Sequence, residues 1–448
     1  MIDSRLILIK EDDKILSMLH SHGKPVELNA FPAAEEGGCA LGSIYIGKVT
    51  NVVNSIGAAF LDLTHGSGRQ KENIRRAFLP LKTLRGANLM NREYDGRILA
   101  GDEILVQVEK EAVKTKDPVV TTELSLSGRY CVIFPGVRKG KLQFSGKLSM
   151  EIRQELQDKL SRAVELEDIL ASCTLILRTN AGELADISPC AREVQTLSRL
   201  ASQVLAAART RTCCSCLYRP PSAWLARIQD TYSSDCQEIL TDDPGLYEEI
   251  STFLRASASP TASGAPVPPA GSGASGFRPG RAEAFISEYG CSIRLYQDER
   301  ISLRSLYGLD TLIKEALSPR VWLRCGGYLV IEPTEALTVI DVNSGKFNAR
   351  KGSRDTFLSV NMEAAMETAR QIRLRNLSGI ILVDFINMAE KEDEQKLLAA
   401  LAAELKKDPV KTVLIDMTPL GLVEITRKKV RRSLREQLEP RGGSVIPG

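Results

Sequence analysis

Residues 326–345 read GGYLVIEPTEALTVIDVNSG, and residues 376–388 read NLSGIILVDFINM. Each holds apolar runs of strand length, punctuated by Gly, Pro, Asn or Ser, as buried strands require. One run ends on Asp341, with Asn343 two residues later, and the other ends on Asp384. Between them, NMEAAMETARQIRLRN at 361–376 has helical periodicity, with Met362, Ala365, Met366, Ala369 and Ile372 on one side. TVLIDMT at 412–418 predicts another strand, and KEDEQKLLAALAAELKKD at 391–408 a second amphipathic helix. Strands alternating with helices predict an α/β layer architecture for this half. Ligands in such sheets gather beyond the carboxyl ends of the strands. If their strands are neighbours, the two aspartates converge on the span of one hard cation. Their carboxylates, with the Asn343 amide, suit Mg²⁺ or Mn²⁺. The plainer alternative is that each aspartate caps its own strand or the following turn.

Upstream, residues 256–280 are almost pure Ala, Ser, Pro and Gly with no acidic residue. Such a segment buries too little apolar area to offset its ordering entropy, so it reads as a flexible insert. Residues 43–63 read as two strands and a turn. AFLPL at 77–81 and EILVQVEKE at 103–111 add further strands, and the set suggests a small barrel. Phe60 and Phe78 lie on barrel strands beside basic residues. They are equally suited to the barrel core or to a stacking platform for single-stranded bases. Further on, ELSLSGRYCVIF and CTLILRT read as strands around a helical stretch at 150–170, with another helix over 188–209.

The chain has 448 residues and a net charge of +3. A disordered, collagenous or membrane class is excluded by ordinary hydrophobicity and balanced charge, and no run reaches membrane-helix length. The three histidines, His20, His22 and His65, are all N-terminal, so chemistry in the C-terminal two thirds uses no histidine. Cys213, Cys214 and Cys216 form the single cysteine cluster, but CCxC is not a zinc-knuckle spacing, and reduced thiols are expected. Basic residues gather near the aspartates: Arg350, Lys351 and Arg354, then Arg370, Arg373 and Arg375, then RKKVRR at 427–432. They read as a polyanion footprint or as a solvated face.

The ordered set GSIYIGKV, GAAFLDL, AFLPL, LRTNAG, TEALTVIDVNSG and ARQIRLRNLSGIILVDFINM resembles the ribonuclease E/G family over nearly the whole chain. The 43-residue separation of Asp341 and Asp384 matches that family's two metal-binding aspartates. The resemblance implies an α+β multidomain protein. Residues 1–38 and 217–300 would form a degenerate RNase H-like domain containing the insert. Residues 39–120 would form an S1-type OB-fold, 121–216 a 5′-sensor region, 301–432 an α/β DNase I-like catalytic domain, and 433–448 a tail. It implies RNA contacts at Phe60, Phe78 and Lys116, joined by Arg373 and Arg375. It implies a 5′-monophosphate pocket at Gly128, Val132, Arg178 and Thr179, with Lys411 where an arginine is usual. Arg178 suits that pocket, because a guanidinium fork binds phosphate oxygens bidentately.

The activity implied is Mg²⁺-dependent cleavage of single-stranded A/U-rich RNA in rRNA and mRNA processing and decay. Mn²⁺ would serve as a substitute, and the products would carry 5′-phosphate and 3′-hydroxyl ends. Asp341 and Asp384 would hold the metal, and Asn343 would orient it or the scissile phosphate. The family's CPxC zinc-link has no counterpart after Cys325, and Asn387 stands where an acidic residue is common. A ribonuclease G-like member without a structural zinc-link is therefore expected, as a homodimer or weaker homo-oligomer in the cytoplasm with no membrane segment. The competing readings are a family member that binds RNA without cleaving it, and a nucleotide-binding enzyme. The latter lacks both GxGxxG and a P-loop.

Overall fold

In the computed structural model, Asp341 and Asp384 stand on adjacent strands of one six-stranded sheet. The structure describes residues 4–33, 39–64, 75–84, 86–111, 117–136, 140–231, 236–258, 285–286, 291–345, 354–388 and 390–439. The 256–280 insert falls almost wholly outside them, as do His65, Lys116, Arg350 and Lys351. The chain divides into two units, residues 1–34, 230–251 and 280–448 in one, and 35–229 and 252–279 in the other.

In the first unit, the sheet bearing the aspartates runs Arg320–Trp322, Tyr328–Pro333, Leu337–Asn343, Gly379–Asp384, Leu422–Arg427, Thr412–Met417. Only Leu337–Asn343 and Gly379–Asp384 pair in parallel; the Arg354–Leu374 helix makes their crossover, as a parallel pair demands. The other pairings are antiparallel. The sheet is thus mixed, more hairpin-built than the alternating pattern suggests. The strand Leu422–Arg427, sited against a basic run, escaped that pattern. Leu329, Ile331, Ile340, Val342, Ile381, Val383, Val423 and Ile425 form one buried face, against the Arg354–Leu374 and Lys391–Leu405 helices. On the crossover helix the buried stripe is Val360, Ala364, Ala365, Thr368, Ala369 and Ile372. Met366, expected inside, is 50% exposed, because it lies about 150° round the helix from the centre of that stripe.

A second six-stranded sheet in this unit joins Ser4–Lys10, Lys14–Ser21 and Lys24–Pro32 to Glu238–Thr241, Ser292–Leu295 and Phe285–Ile286. Segments distant in sequence therefore share one core, in which Ile7, Leu16, Leu28 and Leu240 pack with Leu309, Leu374 and Leu434.

In the second unit, Ile44–Val53, Ala58–Asp62, Arg76–Pro80, Val119–Thr121 and Glu103–Lys110 close into a five-stranded barrel through pairing of the first with the last. Gly47 lets the strands pack closely there: a Cβ would press on Leu61 and Leu63 at 3.1 Å. Ser215–Tyr218 adds to Ile44–Val53. The strand straddles the 216/217 boundary expected from sequence, and residues up to Gln229 go with the barrel's unit. A four-stranded sheet follows in the order Leu142–Phe144, Cys173–Leu177, Cys131–Pro135, Leu126–Ser127, with the Ser188–Ala208 helix against it. The helical stretch at 150–170 is two helices, Met150–Ala163 and Leu166–Ser172.

Candidate active site

Asp341 and Asp384 are direct register partners. Side chains alternate along a strand, so while Ile340, Val342 and Val383 enter the core, both aspartates face outward on the sheet's other side, and both are exposed. Asn343 shares that face, and its Nδ2 donates to Asp341 Oδ2 at 2.7 Å. The amide fixes the orientation of one carboxylate beside the second.

The backbone under this trio is tightly held. Gly345 has φ +64°, and a Cβ there would meet the Gly326 carbonyl at 2.3 Å; one on Gly327 would meet the Asn343 carbonyl at 2.8 Å. The Leu323–Gly327 turn therefore lies directly against the strand end. Glu363 on the crossover helix accepts from the Arg324 and Cys325 amides at 2.6 and 3.0 Å. Burial opposes ionisation of Glu363. The Cys325 thiol and the two amides outweigh it and hold the carboxyl below its ordinary range.

Two carboxylates and an amide are hard oxygen donors. Mg²⁺ typically takes one or two carboxylates and fills its octahedron with water and substrate phosphate, so this donor set fits it. Among the described residues, no group of three His, Cys, Asp or Glu side chains could hold a metal. Structural zinc normally needs a closed set of four ligands. The Cys213–Cys216 cluster is not such a group, and the ten cysteines form no disulfide among the described residues. Burial pushes the Cys214 thiol up to about 11.

Arg370, Arg373 and Arg375, the last two expected as RNA contacts, are engaged by the protein's own groups. Arg375 is 7% exposed and donates to Gln371 Oε1 at 2.6 Å and to the Ser318 carbonyl at 2.7 Å. Burial, then the charge of Arg370, lowers its pKa to about 10. Arg373 pairs with Glu27 at 2.7 Å, and Arg370 with Glu367 and the Pro25 carbonyl. These groups stitch the helix to the N-terminal sheet. Arg427, the first of the basic run, is likewise buried against Asp408 at 2.7 Å and Asn376 at 2.6 Å. Lys411 is exposed and, with Lys428, Thr426, Gly379 and Ile380, lines a shallow recess beyond that buried pair.

In the second unit, Phe60 and Phe78 are cross-strand partners, edge to face with centroids 5.8 Å apart. Ala59, Leu61, Ala77 and Leu79 fill the barrel, and the two rings are half-buried on its outer side. They are not core.

Arg178 donates to the Gly128 carbonyl at 2.6 Å, and its amide donates to the Tyr130 carbonyl at 2.7 Å. Val132 stands opposite Ile176 on the neighbouring strand, and the Thr179 hydroxyl is 2.9 Å from that of Ser145. Of the five residues that the resemblance gives to the sensor, these four belong to one sheet and its loops, and Lys411 lies in the first unit. Sequence reading missed Glu193, whose carboxylate accepts from the Arg129, Tyr130 and Cys131 amides at 2.7, 2.7 and 3.0 Å. Burial pushes the Glu193 carboxyl up, against the pull of those amides. A Cβ on Gly128 would sit 2.3 Å from the same carboxylate. Glycine is needed there for space. A lone Glu on a surface-like helix carries no sequence signal for this task.

Among known protein families, the Ribonuclease E/G family matches residues 125–265 and 281–430. The chain belongs to the ribonuclease E/G family. Similar proteins include ribonuclease E of Synechocystis sp., 33% identical over 88% of this chain and 53% of that protein. Ribonuclease E of Nostoc sp. is 32% identical over 88% of this chain and 52% of its own length. Ribonuclease G of Haemophilus influenzae is 30% identical over 89% of this chain and 74% of its own. This ribonuclease E/G family member thus spans about half the length of the two ribonuclease E proteins. No helix among its described residues is long and apolar enough to cross a membrane.

Proposed function

We propose that the protein is a Mg²⁺-dependent endoribonuclease that cleaves single-stranded, A/U-rich RNA in rRNA and mRNA processing and decay, leaving 5′-phosphate and 3′-hydroxyl ends. The observation that carries this is the register pairing of Asp341 with Asp384 on an exposed sheet face, with Asn343 bonded to Asp341. Family membership supports it. A divalent cation on these carboxylates supplies charge neutralisation at the phosphoryl group and activation of water, with Mn²⁺ able to replace Mg²⁺. The chain's own part is to hold two negative oxygen clusters at fixed spacing on rigid strands, while Asn343 keeps Asp341 from rotating away. Phe60 and Phe78 offer outward aromatic faces for unpaired bases, and the family resemblance adds Lys116 as a basic RNA contact. Gly128, Val132, Arg178 and Thr179 offer a guanidinium, a hydroxyl and a closely packed backbone to a 5′-monophosphate. On this reading the barrel is S1-type, the aspartate sheet DNase I-like and the N-terminal sheet a degenerate RNase H-like domain.

The test compares 5′-monophosphorylated and 5′-triphosphorylated forms of one A/U-rich RNA, incubated with wild type and Asp341→Asn in Mg²⁺. Faster cleavage of the monophosphate by wild type, and none by the variant, is expected. Equal cleavage by both proteins removes the aspartates from catalysis. RNA retention without cleavage by wild type makes the protein an RNA-binding member of the family.

A further inference from the structure

We infer that Arg320, Trp322 and Tyr328 form a base-binding platform on the catalytic sheet, which takes an unpaired nucleobase of the RNA a few nucleotides from the scissile phosphate. This rests on the endoribonuclease reading above and adds a subsite to it.

The sheet register places the platform. Trp322, Tyr328 and Asn343 are successive cross-strand partners, and so are Arg320, Val330, Asp341 and Asp384 in the next row. Cross-strand partners share a face, so the platform and the aspartates look out on the same side. With strands about 4.8 Å apart, Tyr328 is one strand from Asn343 and Trp322 is about 10 Å from it.

The side chains are shaped for this. Trp322 is 65% exposed, an unusual position for the largest apolar side chain, and exposed apolar groups beside a site mark recognition. Its ring lies 5.2 Å from that of Tyr328, tilted by 58°, which leaves a wedge rather than a closed stack. The Arg320 guanidinium sits 4.6 Å from the Tyr328 centroid and 5.8 Å from that of Trp322. It fixes both rings by cation–π attraction and brings a positive charge toward the phosphates of the strand. Aromatic faces next to an arginine bind single-stranded bases with little sequence preference. Continuity of one open face from the aspartates to the rings favours the RNA being cut over any other occupant.

The protein reports on this site itself. Its other tryptophan, Trp224, is 3% exposed, so quenching by added RNA reads Trp322. Full-length protein is titrated with a short unstructured oligoribonucleotide in chelator, where no cleavage occurs. Fluorescence should fall for wild type and stay constant for Trp322→Phe, while Trp322→Ala binds roughly 5- to 30-fold more weakly. In Mg²⁺, a set of RNAs each with one abasic position should show one position at which wild type loses affinity. Trp322→Ala should be insensitive there, and its loss should fall in KM rather than kcat. If wild type cleaves but the variant matches it in KM and abasic profile, the platform is wrong. If wild type does not cleave, the nuclease reading fails, and the binding titration still judges the platform. If Trp322→Ala instead converts a sedimenting dimer to monomer with RNA affinity unchanged, the rings are a contact between two copies, and the inference is overturned.

Discussion

Asp341 and Asp384 stand outside the core, so either can become asparagine at little cost to folding. Each substitution removes half of the negative charge that would hold the proposed cation. Metal charge stabilisation is worth several kcal/mol, so kcat/KM on single-stranded RNA should fall by about 10²- to 10⁴-fold. The thermal midpoint should barely move; both are read from single-turnover kinetics and a melting curve. Arg427 is the opposite case. Its guanidinium neutralises buried Asp408, and Arg427→Ala would take that guanidinium from a buried carboxylate, at a cost of about 3–5 kcal/mol in urea unfolding. Neither outcome is settled by the sequence at the level of single residues. A strand-end aspartate reads equally as a cap, and an arginine in RKKVRR reads as a surface charge, because one-dimensional context does not say which face a side chain takes.

At the scale of elements, two carboxylates act as clamps on backbone turns. Glu193 gathers the 129–131 amides and so sets the Gly128 carbonyl to which Arg178 donates. Gly128→Ala pushes a methyl into that carboxylate. It should cost about 1–3 kcal/mol in thermal unfolding and erase the preference for 5′-monophosphorylated RNA, measured as the ratio of cleavage rates on the two 5′ forms. Glu363 clamps the Leu323–Gly327 turn beneath Asn343. Its folded pKa lies below the ordinary 4.5, so its stabilisation is complete above that value and fades as pH falls through the depressed folded one. Wild type should exceed Glu363→Gln by about 1 kcal/mol at pH 7, with the gap closing below about pH 4.5 in parallel denaturation curves. The strands and helices around these turns were mostly legible from apolar periodicity. The clamps were not, since each joins residues tens of positions apart.

For the whole molecule, the strands of the aspartate pair rest on a hydrophobic core. Ile340, Val342, Ile381 and Val383 fix the two strands from their buried face. Chelation should therefore abolish cleavage while shifting the melting midpoint by no more than about 2–4 °C, the effect of ~1 kcal/mol; a much larger drop would make the metal structural. The sequence alone determined the strands that carry Asp341 and Asp384, the crossover helix between them, the small barrel and the family, because these follow from local periodicity and from motifs written contiguously. Only the tertiary structure decided that the two aspartates are register partners, that Phe60 and Phe78 face out of the barrel, and that Arg373, Arg375 and Arg427 face inward. It also set Trp322 and Tyr328 on the face of the aspartates. Register and facing depend on which distant segments pair, and pairing is settled by burial over the whole unit rather than by any stretch of chain on its own.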